Sequence, residues 1–230
     1  MAVALFDLDG TLTEGASCER RFVLHLAARG LLGGRQMAAA AGFALRHWPV
    51  YGRHVLKKDK AYLAGLSVTE ITAIAVAFVR EDVEPRLRIG VLARLERHRQ
   101  RGDPAVLITG APDFVVAPLA ARLGFDAWRA TRFAVRDGCF RAVPPRDHPF
   151  AEGKLRHANE ICARFGTRLD DCTAYGDSLY DLPLLTRVAH PVAVAPDAGL
   201  AKTARAAGWE ILAPARAKEA RTRHFTLARQ

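Results

Sequence analysis

The stretch FDLDGTLT, Phe6 to Thr13, sets Asp7 and Asp9 two residues apart, where an apolar run ends and Gly10 begins a turn. Two carboxylates at i and i+2 leaving a strand face the same side, roughly 7 Å apart along the backbone. Without a cation nearby, one of the pair is driven to hold its proton. Positive charge is available by position. Lys154 opens a helical stretch after Glu152 and Gly153, and Asp177, at the end of another apolar run, could complete an oxygen-rich Mg2+ site. The chemistry these residue types offer is therefore the holding of a hard cation among carboxylates.

The elements that must position them are short apolar segments. Val3 to Phe6, Ala105 to Thr109, Cys172 to Tyr175, Val192 to Ala195 and Glu210 to Leu212 read as buried strands, and Phe114 to Leu123, Leu155 to Phe165 and Ala198 to Ala207 carry helical periodicity. Continuous apolar strands alternating with helices predict an α/β fold with a doubly wound parallel sheet covered on both faces. Ligands in such sheets lie beyond the carboxyl ends of the strands. The first strand runs into Asp7 and Asp9, the second into Thr109 and Gly110, and the third into Gly176 and Asp177. Asp113 reads as the cap of the helix after it. Residues 17–101 show helical patterns without a convincing strand, too long for a plain crossover, so the expectation is a helical cap over the sheet edge, with the core in 1–16 and 102–213. RATRFAVRDGCFRA, residues 129–142, alternates about Asp137-Gly138 and predicts a β-hairpin.

FDLDGTLT, LITGAP, EGK and GDSLYDLPLL, in this order at strand ends and helix starts, resemble the haloacid dehalogenase superfamily and its phosphoserine-phosphatase-like branch, from about Val3 to Leu212. The resemblance implies a Rossmann-like core and a Mg2+-dependent phosphatase. It makes Asp7 the nucleophile that becomes an aspartyl phosphate, and Asp9 the acid and base that serves the leaving alcohol and then the water. Mg2+ would be bound by the Asp7 carboxylate, the Asp9 main-chain carbonyl and Asp177, with Asp181 as a further ligand or outer support. Thr109, the Gly110 amide and Lys154 would hold the phosphoryl oxygens, and Gly10 and Gly110 fit places where backbone approaches phosphate. Phosphoryl transfer needs positioning and charge compensation, which this set supplies. The second aspartate is a threonine in related ion pumps and absent from dehalogenases, so Asp9 favours phosphatase chemistry.

The same resemblance leaves the substrate open between phosphoserine-like and histidinol-phosphate-like metabolites. Phosphoserine phosphatases carry a glutamate nine residues after the nucleophile; here Ala16 stands there, with Glu14 and Glu19 nearby. The common G-D-x-x-N-D reads GDSLYD, with Tyr180 in place of asparagine. Within the cap, Arg46 to Lys60 interleaves aromatic and basic residues, either a surface meeting an anionic or aromatic substrate or a Pro-kinked loop whose Trp48 and Tyr51 pack on the cap. His47, His54 and His98 read as surface or cap residues.

The chain has 230 residues, half of them hydrophobic, enough for one packed core. No apolar run approaches the roughly 18 to 20 residues of a membrane span, and the start lacks the basic flank and cleavage site of a signal peptide. Cys18, Cys139, Cys162 and Cys172 lack C-x-x-C spacing and read as reduced structural thiols in a cytoplasm. The net charge of +10, densest in the tail 214–230, raises nucleic acid as a partner, but the arginines have no accompanying binding motif. The expectations are a small phosphorylated substrate and a hydrolase, with a phosphotransferase or mutase, or a non-catalytic nucleic-acid binder, as alternatives.

Overall fold

Every second residue of the first strand enters a different apolar layer, which is why the sheet must be covered on both faces. In the computed structural model, which describes residues 2–52, 55 and 60–213, Ala4 and Phe6 join one buried cluster while Val3 and Leu5 join the other. The elements in chain order are β1 (Ala4–Phe6), α1 (Cys18–Ala28), α2 (Gly34–Tyr51), α3 (Val68–Phe78), α4 (Ile89–Gln100), β2 (Ala105–Pro112), α5 (Asp113–Leu123) and β3 (Ala127–Thr131). There follow β4 (Val135–Arg136), β5 (Cys139–Phe140), α6 (Glu152–Arg164), β6 (Thr173–Gly176), α7 (Leu182–Leu185), β7 (His190–Val194), α8 (Ala198–Ala206) and β8 (Glu210–Leu212). The tail 214–230, and His54 with its neighbours 53 and 56–59, lie outside the described residues.

Among the described residues six strands form one parallel sheet in the order β3-β2-β1-β6-β7-β8. Strand order reverses direction at β1 and β6, the place where an open parallel sheet leaves a crevice. Phe6 pairs with both Leu107 and Tyr175, so the residues that follow these three positions emerge side by side. Helices α4 and α5 share one face with the apolar cluster that holds Phe6, Phe22, Phe78 and Phe114, while α6, α7 and α8 cover the other. Each fully buried Val, Leu, Ile or Phe side chain here contributes about 1.5–3 kcal/mol.

Several sequence expectations are corrected. Residues 127–131 are not half of a hairpin but β3, the edge strand of the main sheet; the hairpin is the shorter β4–β5 pair, turning at Asp137-Gly138. An edge strand has one free side and tolerates Arg129, which hid its apolar pattern. Helix α4, expected in the cap, packs on the sheet: His98 is buried, with Nε2 3.0 Å from Tyr175 Oη and Nδ1 3.0 Å from Asp103. His98 is thus a core residue rather than a surface one. Asp113 is the first residue of α5, not its cap; Pro112 holds that place and the Asp113 carboxylate accepts from the Phe114 amide. Helix α2 runs through Pro49, so residues 46–51 are helix and not a kinked loop; a proline so near the end removes few backbone bonds. Trp48 is exposed, whereas Tyr51 packs against the small cluster of Phe43, Val55 and Ala61. The four cysteines are free thiols, with the sulfurs of Cys162 and Cys172 3.5 Å apart in the core.

Candidate active site

The apolar sheet delivers its polar residues at the carboxyl ends of β1, β2 and β6. Asp7 leaves β1 with its amide bonded to the Tyr175 carbonyl, which keeps it between the neighbouring strands. In β2 the register against β3 slips between Ile108 and Pro112, a bulge that lifts Thr109, Gly110 and Ala111 out of the regular ladder. The Thr109 hydroxyl accepts from the Ala111 amide and the Gly110 carbonyl accepts from Thr131 Oγ1, so hydrogen bonds inside the fold hold the bulge. After β6 the Asp181 carboxylate accepts from the amides of Asp177 and Ser178 and from the Ser178 hydroxyl, closing the turn that presents Asp177.

Lys154, in the first turn of α6, joins these pieces. Its Nζ lies 2.6 Å from Asp7 Oδ1 and 2.5 Å from Asp181 Oδ1, and the side chain is almost wholly buried. Burial works against its charge, but Asp181 and Asp7 outweigh that and hold the ammonium above the ordinary lysine range. Burial pushes the Asp7 carboxyl up; Lys154 opposes the shift, and Asp181 and Asp177 add to it. Burial and then Asp181 raise Asp177 to about 6. Carboxylate oxygens of Asp7, Asp177 and Asp181 come within 4.8 Å of one another. Two buried acids and the half-buried Asp177 against one lysine leave negative charge uncompensated, and an all-oxygen set of this kind suits a hard divalent cation such as Mg2+.

Asp9 is held differently. Its Oδ1 accepts from the Cys18 amide at 2.7 Å, which fixes the carboxylate at the start of α1. Gly10 has φ of +85°, and a Cβ there would stand 2.1 Å from Asp177 Oδ2; the close approach recorded at this glycine is to a carboxylate. Thr11 bridges the acids, its hydroxyl 3.5 Å from Asp7 Oδ2 and 3.3 Å from Asp177 Oδ1.

A cavity of about 280 Å³ opens over this floor, lined by Asp7, Asp9, Thr109, Gly110, Lys154 and Asp177 among others. The fold therefore gathers these six sequence-derived residues around one space, with Asp181 and Gly10 behind it. Sequence reasoning did not single out Ser17, His148, Phe150 or Ser178 as lining residues. Ser178 follows Asp177 directly and could have been found by that adjacency; His148 and Phe150 lie in a loop with no periodic signal. The arrangement can bind an anionic group among a lysine, a hydroxyl and main-chain amides, beside a carboxylate able to attack it.

Comparisons with known proteins agree with this geometry. The family description of the haloacid dehalogenase-like hydrolases matches residues 4–186. Phosphoserine phosphatase SerB1 of Mycobacterium tuberculosis is 31% identical over 217 residues, spanning 91% of this chain and 70% of that protein. A histidinol-phosphatase of Neisseria meningitidis is 29% identical over 217 residues, spanning 91% of this chain and 97% of its own. A solved structure from Bordetella pertussis, of a protein of unknown function, shares the fold with a TM-score of 0.76 and 32% identity, over 92% of this chain and 97% of that one. With the family matched over most of the chain and the sheet, acidic pair and lysine in place, the protein belongs to the haloacid dehalogenase-like hydrolases, as a phosphatase of the phosphoserine-phosphatase-like branch.

Proposed function

We propose that this phosphatase is a Mg2+-dependent phosphomonoester hydrolase that carries the phosphoryl group on Asp7 and acts on a small phosphorylated metabolite, phosphoserine-like or histidinol-phosphate-like. The observation that carries the reading is Lys154, buried and paired with Asp7 beneath a cavity lined by Asp9, Thr109 and Gly110. A dianionic phosphate entering there meets an ammonium, a hydroxyl and main-chain amides, which is the compensation its equatorial oxygens require.

The Asp7 carboxylate attacks phosphorus in line; a bond forms between its oxygen and phosphorus as the bond to the leaving alcohol oxygen breaks. Asp9, oriented by the Cys18 amide, gives its proton to that oxygen. Asp9 then takes a proton from water, whose oxygen attacks phosphorus and releases inorganic phosphate and the Asp7 carboxylate. Mg2+ would be held by Asp7 and Asp177, with the Asp9 carbonyl, and would offset charge on the phosphoryl oxygens. Asp181 supports the set from behind, by its bonds to Lys154 and to the Asp177 amide.

The test is phosphate release from a panel of amino-alcohol phosphates, sugar phosphates, nucleotides and lipid phosphates, with and without Mg2+. Release without any acceptor is expected, which decides against a phosphotransferase or mutase. Asp7→Asn is expected to lower kcat by at least about a thousandfold and to abolish phosphoenzyme; normal turnover in this variant overturns the nucleophile.

A further inference from the structure

One side of the cavity wall that the mechanism does not use is aromatic. Phe150 and Tyr180 have ring centroids 4.5 Å apart, and His148 lies nearly parallel to Phe150 at 5.6 Å. All three line the space that holds Asp7 and Lys154. They come from two segments, the loop before α6 and the turn after β6, so their meeting is a product of the fold. Tyr180, which stands where the resemblance places asparagine, is 39% exposed, leaving ring surface for a ligand. The wall is also tethered to the phosphate end. The Thr131 hydroxyl donates to the Gly110 carbonyl at 2.6 Å, so the contact at 2.7 Å between Thr131 Oγ1 and His148 Nδ1 has the imidazole as donor.

The cap side of the same cavity presents Glu19, but not as an uncompensated charge. Lys60, 1% exposed, is paired with Glu19 Oε2, and Tyr62 Oη donates to Oε1 at 2.9 Å. Ala16, where phosphoserine phosphatases carry their glutamate, offers no charge at all. A small substrate ammonium thus finds weak selection on this wall, while a flat ring finds faces to stack on.

Resting on the hydrolase reading above, we propose that His148, Phe150 and Tyr180 form a leaving-group slot that selects phosphate esters of alcohols bearing a flat ring, neutral or cationic, over esters of small amino alcohols without one. The stacking supports a preference of about tenfold in kcat/KM.

The experiment measures kcat/KM for four alkyl phosphates of similar leaving-group chemistry: histidinol phosphate, 2-phenylethyl phosphate, phosphoserine and phosphoethanolamine. Wild type is compared with Phe150→Ala, Tyr180→Leu and Tyr180→Phe. The expected result is a preference of about tenfold for the two ring esters, carried mainly by KM, that Phe150→Ala and Tyr180→Leu reduce to near unity and Tyr180→Phe retains. Tyr180 is the safer site for folding because its side chain lies partly in solvent. Hydrolysis of all four esters without preference, or a preference that Tyr180→Leu leaves untouched, overturns the slot alone. Failure to hydrolyse these or any wider panel of monoesters overturns the hydrolase reading beneath it.

Discussion

Lys154 is the residue on which the site's charge balance turns. Two carboxylates within 2.6 Å share one buried ammonium, so removing it leaves them facing each other in a low-dielectric interior. Lys154→Met is expected to lower the unfolding free energy of the metal-free protein by about 3 kcal/mol, read by urea melts, and excess Mg2+ is expected to recover part of it. A melt identical to wild type in EDTA would contradict the balance described here. Asp177 gives the complementary signal. Its folded carboxyl titrates near 6, above the ordinary 3.8, so in the metal-free protein its stabilising effect is present at acid pH and is lost as pH rises between those values. Across that window Asp177→Asn is expected to flatten the pH dependence of the EDTA melt relative to wild type. Bound Mg2+ requires the ionised carboxylate, so its stabilisation should grow from about pH 5 to about pH 7. A Mg2+ effect that is equal at both ends would count against Asp177 as a ligand. Asp7, Asp9 and Asp177 were legible in the sequence because spacing and strand-end position are properties of the chain itself. Glu19, Phe150 and Tyr180 share the cavity only after separate segments dock, and no local pattern records that meeting.

At the scale of elements, the site depends on how closely the turn after β1 approaches the turn after β6. Gly10 sits at that approach in a left-handed conformation, and a side chain there would enter the Asp177 carboxylate. Gly10→Ala is therefore expected to reduce kcat by tenfold or more, on the order of the losses seen when a reacting geometry shifts by about 1 Å. It should also lower the melting midpoint by several degrees, about 1–2 kcal/mol. Wild-type kcat in this variant would show that the approach is not needed. The same scale explains what could and could not be read beforehand. Strands β1, β2 and β6 are buried on both faces and announce themselves as apolar runs broken at most by a threonine. Strand β3 is an edge carrying Arg129, and α4 carries Arg94, Arg97 and Arg99 about a narrow buried stripe of Val91, Leu95 and His98. That stripe decides its docking on the sheet, with His98 bonded to Tyr175, although its composition resembles a solvated cap helix.

Over the whole molecule, charge and site have opposite signs. The chain carries 34 lysines and arginines against 24 acids, a net charge of +10, while the cavity floor gathers Asp7, Asp177 and Asp181 about a single lysine. No described helix is long and apolar enough to cross a membrane. A basic exterior around a locally acidic floor draws phosphate dianions toward the molecule by long-range attraction, and the final discrimination then falls to Lys154 and a bound cation at short range. Screening acts on the first effect far more than on the second, because the Debye length shrinks from roughly 20 Å at about 0.02 M salt to about 4 Å at about 0.5 M. Raising salt across that range is expected to lower kcat/KM for a dianionic ester about threefold to tenfold, with kcat nearly constant. The same titration separates enzymatic steering from nucleic-acid binding. A molecule built to hold RNA would show a log–log salt slope of several units in an RNA anisotropy assay, reflecting many phosphate contacts. Here the expected RNA affinity is weak, with the salt effect confined to substrate capture; strong, steeply salt-dependent RNA binding together with salt-independent kcat/KM would show that the basic surface serves a different partner from the cavity.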